Sequence, residues 1–272
     1  SLVEVAFEHG LKAYQNGNAD RRTDSGGHSD SLSSDAAALL YSPQQKQSAF
    51  SNCKDQFPSG TPVRASNFSA IHKPMALCSD HFAVLYSKAS KTPLVVVERL
   101  TTEQLIDAKG EERSNQFYPD PRVPKEFRAE LSDYRGTGLD RGHQAPAADA
   151  PNSKSMAQSF ALSNMVPQDP INNRKIWSKI ESDTRKFAQR AGGNVYVFTG
   201  PLFDEGFTTI GQNKVWVPTR LYKLIYDESR QRAWAYVLVN RETRIERPMD
   251  YQTFINVTGL RLLEGLTVNG SI

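Results

Sequence analysis

Pro93-Leu-Val-Val-Val-Glu-Arg-Leu100 is the run that most restricts the fold. An unbroken set of apolar, mostly β-branched residues suits a strand buried on both faces and little else. Such a strand needs neighbours on each edge. Phe82-Ala-Val-Leu-Tyr-Ser87 supplies one, across the turn-like Lys88-Ala-Ser-Lys-Thr92. Val195-Tyr-Val-Phe-Thr199 is a second run of the buried type, stopped by Gly200-Pro201. Lys214 to Tyr226 and Arg232 to Asn240 read as two more strands, with Asp227-Glu-Ser-Arg230 as the hairpin turn. Between the early and late strands, Asn173 to Arg190 has a helical period. Ile176, Trp177, Ile180, Thr184 and Phe187 form its core side, and Gly192-Gly193 the stop. A last helix is expected from Tyr251 to about Gly265, with Asp250 as its N-cap. Strands, then a helix, then strands predict an α+β fold: a central antiparallel β-sheet flanked by helices.

Ahead of the sheet the chain is polar. Val3, Phe7, Leu11 and Tyr14 sit at helical spacing, and residues 15–37 are Asn, Gly, Asp, Ser and Thr with few large apolar residues. The expected organisation is an N-terminal extension over residues 1–50 and a folded domain over residues 51–272. The net charge of +3 conceals a split: residues 1–45 carry 3 Lys/Arg against 6 Asp/Glu, leaving 30 against 24 in the remainder. A basic body suits a polyanionic partner. No apolar run approaches the ~20 residues of a membrane span. The two cysteines, Cys53 and Cys78, are too far apart for CxxC chemistry, and no Cys/His cluster has zinc spacing. Buried free thiols are one reading. The polar residues flanking both favour surface loops joined by a disulfide, hence an oxidising compartment. The N-terminal Ser-Leu-Val-Glu-Val-Ala-Phe-Glu is too acidic for a signal peptide, so a secreted or periplasmic location implies a leader removed before this numbering begins.

The chemistry concentrates in Leu139-Asp-Arg-Gly-His-Gln-Ala-Pro-Ala-Ala-Asp149. A histidine takes and returns a proton near neutral pH. An Arg-Gly before it permits a tight turn beside a fixed cation, as a phosphate substrate needs. Downstream come Ser163-Asn-Met-Val-Pro-Gln168 and then Asn173, Trp177 and Glu181 at intervals of four. On a helix, Asn173 and Glu181 lie two turns and roughly 80° apart, able to face one site.

These three ordered blocks resemble the DNA/RNA non-specific endonucleases, the Serratia-type nucleases built on a ββα-metal unit. The resemblance implies His143 as general base and Asn173 as the single protein ligand of a Mg²⁺ whose other positions are mostly waters, with Mn²⁺ able to substitute. It implies Glu181 holding one of those waters and Asn164 orienting His143 or its neighbours. Arg99, in Val-Val-Val-Glu-Arg, stands where the family places a phosphate-neutralising arginine. Arg141 and Arg185 are candidate phosphate contacts. Plainer readings stand beside these. Asn173 is a plausible helix cap, Glu181 and Arg185 a plausible i,i+4 surface pair, and Asn172, one residue earlier, a plausible cap worth ~1 kcal/mol. Gln168 is expected to bond loop backbone, and Asp140 to act as a structural acceptor. The implied activity is hydrolysis of DNA and RNA to 5′-phosphates. Two alternatives are a catalytically silent nucleic-acid-binding module and the same nuclease exported as a toxin with a protein inhibitor.

Overall fold

The computed structural model describes residues 31–270. The helix expected over residues 1–14 and most of the polar linker lie outside them. A short helix, α1 (Ser34–Ala38), is capped by the Ser33 hydroxyl, which accepts from the Ala36 N–H. After it come β1 (Met75–Cys78), β2 (Phe82–Ser87) and β3 (Thr92–Leu100). Two helical turns follow, α2 (Thr102–Asp107) and α3 (Leu131–Tyr134), then β4 (Asp140–His143), α4 (Ser153–Ser159) and β5 (Met165–Gln168). A π-helical turn over Asn172–Trp177 runs straight into α5 (Ser178–Arg190). The remainder is β6 (Val195–Leu202), the two-residue strands β7 (Thr209–Ile210) and β8 (Val215–Trp216), β9 (Arg220–Asp227), β10 (Arg232–Val239) and α6 (Tyr251–Thr258).

The central sheet has six strands in the order β1-β2-β3-β6-β9-β10, and every pairing is antiparallel. This is the α+β architecture expected. β3 lies inside the sheet, buried along nearly all its length, as its continuous apolar run requires. The two faces carry separate cores. On one, Val95, Val97, Phe198, Tyr222 and Leu224 pack with Phe57 and with Phe254 of α6. On the other, Val197 and Ile225 meet Ala188 of α5, while Leu221 meets Trp177 and Ile180. Truncating a side chain as buried as Trp177 typically costs about 3–5 kcal/mol, so this contact fixes the helix on the sheet.

Three expectations change. The packed unit begins at Leu32, earlier than the boundary drawn at 50. Leu40 and Tyr41 are buried, and the Tyr41 and Tyr118 hydroxyls share a 2.7 Å hydrogen bond. The strand expected over 214–226 is broken, because Pro218 has no N–H to donate and Lys214 sits at φ +52°. The last helix stops at Thr258. Gly259 takes the left-handed conformation and its N–H closes on the Ile255 carbonyl; the Asp250 cap is present, accepting from the Thr253 N–H.

Cys53 and Cys78 form a disulfide across a 25-residue separation, and no described cysteine is free. A loop of that size contributes about 3 kcal/mol. Thiol titration of the denatured, unreduced protein is therefore expected to find none, and reduction to lower Tm; two free thiols would remove the bond from the account.

Candidate active site

β4 and β5 form a hairpin in which Asp140 faces Gln168, Gly142 faces Val166 and His143 faces Met165. Gly142 is there for want of a side chain: a Cβ would collide with the Gln168 amide oxygen. The Gln168 amide nitrogen donates to Asn172 Oδ1 at 2.8 Å, so it bonds a side chain rather than the loop backbone expected. Asn164 immediately precedes β5 and is fully buried. Its Oδ1 accepts from the Ala145 N–H, and its Nδ2 donates to the Ala145 and Ser159 carbonyls. It therefore fixes the backbone two residues beyond His143, and its side-chain hydrogen bonds go to Ala145 and Ser159 rather than to the ring.

His143 ends β4 against two aromatic walls. Its ring meets Phe160 edge-on at 4.6 Å and Phe117 at 5.7 Å, and its Nε2 has no hydrogen-bond partner among the described residues. Burial, reinforced by the cationic Arg113 and Arg141, pushes its pKa down to about 3. The imidazole is thus neutral at pH 7, with a lone pair to accept a proton. Arg141 lies over the Phe117 ring at 3.9 Å, and Arg113 over Phe160 at 5.3 Å.

The π-helical turn brings up the amide. Asn173 Nδ2 donates to Asp140 Oδ2 at 2.9 Å, and Arg174 clasps the same carboxylate with Nε at 2.9 Å and Nη2 at 2.7 Å. Asp140 is the structural acceptor expected, and Asn173 is no cap. Its side-chain nitrogen is held by Asp140, and Oδ1 is the atom of the amide able to accept. Asn172 is the structural one of the pair: buried, its Nδ2 donates to the Val239 and Arg241 carbonyls at 3.0 and 3.2 Å.

On α5, burial pushes the half-buried Glu181 carboxyl up to about 7, against the opposing pull of Lys223. The Arg113 charge acts on both Glu181 and His143. Arg185 does not form the i,i+4 pair with Glu181; its Nη1 donates to Asp149 Oδ1 at 2.9 Å.

Arg99 is the site residue that the structure removes. It pairs with Tyr196 across β3 and β6 and lies 3.9 Å from Asp55, on the face that carries Val97 and Phe198. Side chains alternate along a strand, so it is Glu98 that points towards α5. The cation on the His143 side is Arg113, over the Phe160 ring that also walls the histidine. It lies in an irregular, exposed polar segment where periodicity gives no signal. Asp149, Glu98 and Lys223 also escaped the sequence reading, being singly spaced polar residues that only the folded sheet brings together.

The family model for DNA/RNA non-specific endonucleases matches residues 59–269. The chain belongs to that family. Relatives include Nuclease C1 of Cunninghamella echinulata var. echinulata, 35% identical over 203 residues, which are 69% of this chain and 80% of that protein. The mitochondrial nuclease EXOG of Homo sapiens is 37% identical over 161 residues, covering 55% of this chain and 43% of the human one. Among solved structures, the EndoG/EndoGI complex aligns with TM-score 0.62 at 30% identity, over 68% of this chain and 84% of that one. As a member of the DNA/RNA non-specific endonucleases, the chain is a phosphodiester hydrolase acting on nucleic acid, and a silent binding module is set aside. The family is divalent-metal-dependent. No group of three or more His, Cys, Asp or Glu among the described residues is arranged to hold a metal. A hard cation that keeps most of its waters does not need one, and the side-chain oxygen of Asn173, whose amide nitrogen is held by Asp140, is a donor of the kind it takes, with the half-buried Glu181 carboxyl two helical turns further on. No helix of the described residues is long and apolar enough to cross a membrane.

Proposed function

We propose that this endonuclease is Mg²⁺-dependent and sugar-non-specific, cutting single- and double-stranded DNA and RNA to leave 5′-phosphates. The observation that carries the reading is the His143 ring at the end of β4, walled by Phe160 and Phe117 under the guanidinium groups of Arg113 and Arg141, with its Nε2 lacking a hydrogen-bond partner among the described residues. His143 takes a proton from the attacking water, a contribution of about 10²–10⁴-fold. Asn173 Oδ1 would hold the Mg²⁺, with Mn²⁺ able to substitute, and the bound cation supplies electrophilic polarisation of the phosphate and of the leaving 3′ oxygen. Glu181 would hold a water of the cation's hydration shell through its carboxyl group. Arg141 and Arg113, stacked on their aromatic rings, neutralise the phosphate, with Arg185 behind them; Asn164 and Gln168 position the hairpin. Plasmid and total-RNA digestion with Mg²⁺, with Mn²⁺ and with EDTA tests this. Cleavage of only one nucleic acid, or cleavage in EDTA, would refute it.

A contrast between two arginines tests the cation assignment. Arg113→Ala is expected to lower kcat/KM by about 10²-fold, as for loss of an electrostatic donor to the transition state. Arg99→Ala, on the far face, should stay within about threefold of the parent. The reverse ranking would restore Arg99 to the site.

We further propose that the protein works in an oxidising, extracytoplasmic compartment, consistent with its disulfide. The solved relative is bound to EndoGI in a complex described by its mechanism of inhibition. That observation supports a second reading, an exported nuclease held inactive by a protein inhibitor. Expression in a host cytoplasm with and without candidate inhibitors distinguishes the two, since a toxin kills without its inhibitor.

A further inference from the structure

Behind the site, on the sheet face that carries α5, lies a group of buried ionisable side chains that the proposed mechanism does not use. Glu98 of β3 is at its centre, 1% exposed. No N–H or O–H of the described residues donates to either of its carboxyl oxygens. An ionised carboxylate accepts only, and one buried with no donor is far costlier than a protonated one. The groups facing Glu98 come from four directions. His81, before β2, has Nε2 3.5 Å from Glu98 Oε1. Asp149, in the turn after β4, is the charged group that acts most strongly on the Glu98 carboxyl. Lys223 of β9 donates its Nζ to Thr199 Oγ1 at 2.7 Å, and Glu181 and Arg185 approach from α5.

Two carboxyl groups hydrogen-bond to each other only if one of them carries a proton. Asp149 already receives the Arg185 guanidinium at 2.9 Å, so the negative charge belongs there and the proton on Glu98. We propose that Glu98 is a positioning residue, held as a neutral acid that donates to Asp149. Asp149 then anchors Arg185, and Arg185 sets the cationic flank of α5 beside Glu181. Burial and the neighbouring Asp149 charge hold the Glu98 pKa well above the usual carboxylate range, in keeping with this. The catalytic consequence rests on Arg185 and Glu181 serving the active site; the state of Glu98 itself does not.

The sign of the pH dependence follows from the raised value. Below the ordinary carboxylate pKa, folded and unfolded chains are both protonated and no stability is lost. Above it the unfolded chain ionises while the folded one keeps its proton, so stability falls as pH rises towards the folded pKa. Glu98→Gln keeps a donor in place and removes this loss. Measured with Mg²⁺ present, Glu98→Gln should keep at least half of kcat at pH 7, whereas Glu98→Ala should lose tenfold or more. The Tm advantage of Glu98→Gln over the parent should widen from pH 5 to pH 9. If Glu98→Ala does not fold, the Gln variant alone carries the test. A Tm difference that stays constant or narrows with pH overturns the neutral acid. A kcat for Glu98→Gln as low as that of the Ala variant means the carboxylate itself is required, which also overturns it. Arg185→Ala with full activity, alongside a widening Tm difference, would instead sink the link to the site and leave the neutral Glu98 standing.

Discussion

His143→Ala is expected to reduce cleavage by about 10²–10⁴-fold, the range for loss of a general base. The side chain is not a loose surface group: it is packed edge-on to Phe160 and Phe117. Removing it leaves a pocket walled by those rings, so some loss of Tm accompanies the loss of rate. His143→Gln, which fills more of the space, separates the two effects: it should recover stability and not activity. Added imidazole should enter the vacated pocket in the Ala variant and restore part of the rate. Acidification has a definite sign. A histidine whose folded pKa is lowered from 6.5 to about 3 binds its proton first in the unfolded chain. The stability tied to its neutral form is complete above about 6.5 and is lost as the pH falls from there towards about 3. His143→Ala should lack that part of the acid sensitivity. If it cut DNA at more than a tenth of the parent rate, another base would have to be found.

Asn173→Ala should lose about 10²-fold or more of the Mg²⁺-dependent rate, since several kcal/mol of electrophilic help depend on the ion's placement. Its fold should change little, because the amide is half-buried and Asp140 keeps Arg174 as a partner. Asn172→Ala should do the opposite. It would strand the Val239 and Arg241 carbonyls and the Gln168 amide, at about 3 kcal/mol together. The cap-sized effect expected from sequence is thus too small, while the folded fraction should keep its Mg²⁺ response. Tm and rate against Mg²⁺ concentration, measured on both variants, decide the matter. A larger loss of Mg²⁺ response at 172 would move the ligand by one residue and overturn the site.

What was legible in the sequence was local. Asn173 to Glu181 lie on one continuous helical stretch, so periodicity alone showed the helix, while the roles around His143 followed from the family resemblance and the β4–β5 pairing came only with the structure. What was not legible depended on parity or on distant packing. Glu98 and Arg99 are adjacent, and a single step along β3 decides which looks at α5; no pattern within that apolar run reveals which face meets the helix. Arg113 lies in a polar segment without period, and its place beside His143 is set by Phe160, far along the chain. Asn172 looked like a cap because the sheet edge that receives its amide, at Val239 and Arg241, is some seventy residues away.

The π-helical turn over Asn172–Trp177 gives this last pair a different importance. Such a turn holds one residue more than the α-helical turn it replaces. Trp177 anchors the downstream end of the turn and Asp169 its upstream end, through the Asn173 N–H. A deletion of one residue between these anchors is expected to restore an α-helical turn and to rotate both asparagines out of their present directions, so that the bonds of Asn172 to Gln168, Val239 and Arg241 are lost as well. The extra residue of this turn thus serves folding through Asn172 and the proposed cation through Asn173 at once, and a single in-frame deletion there is expected to lower Tm and rate together.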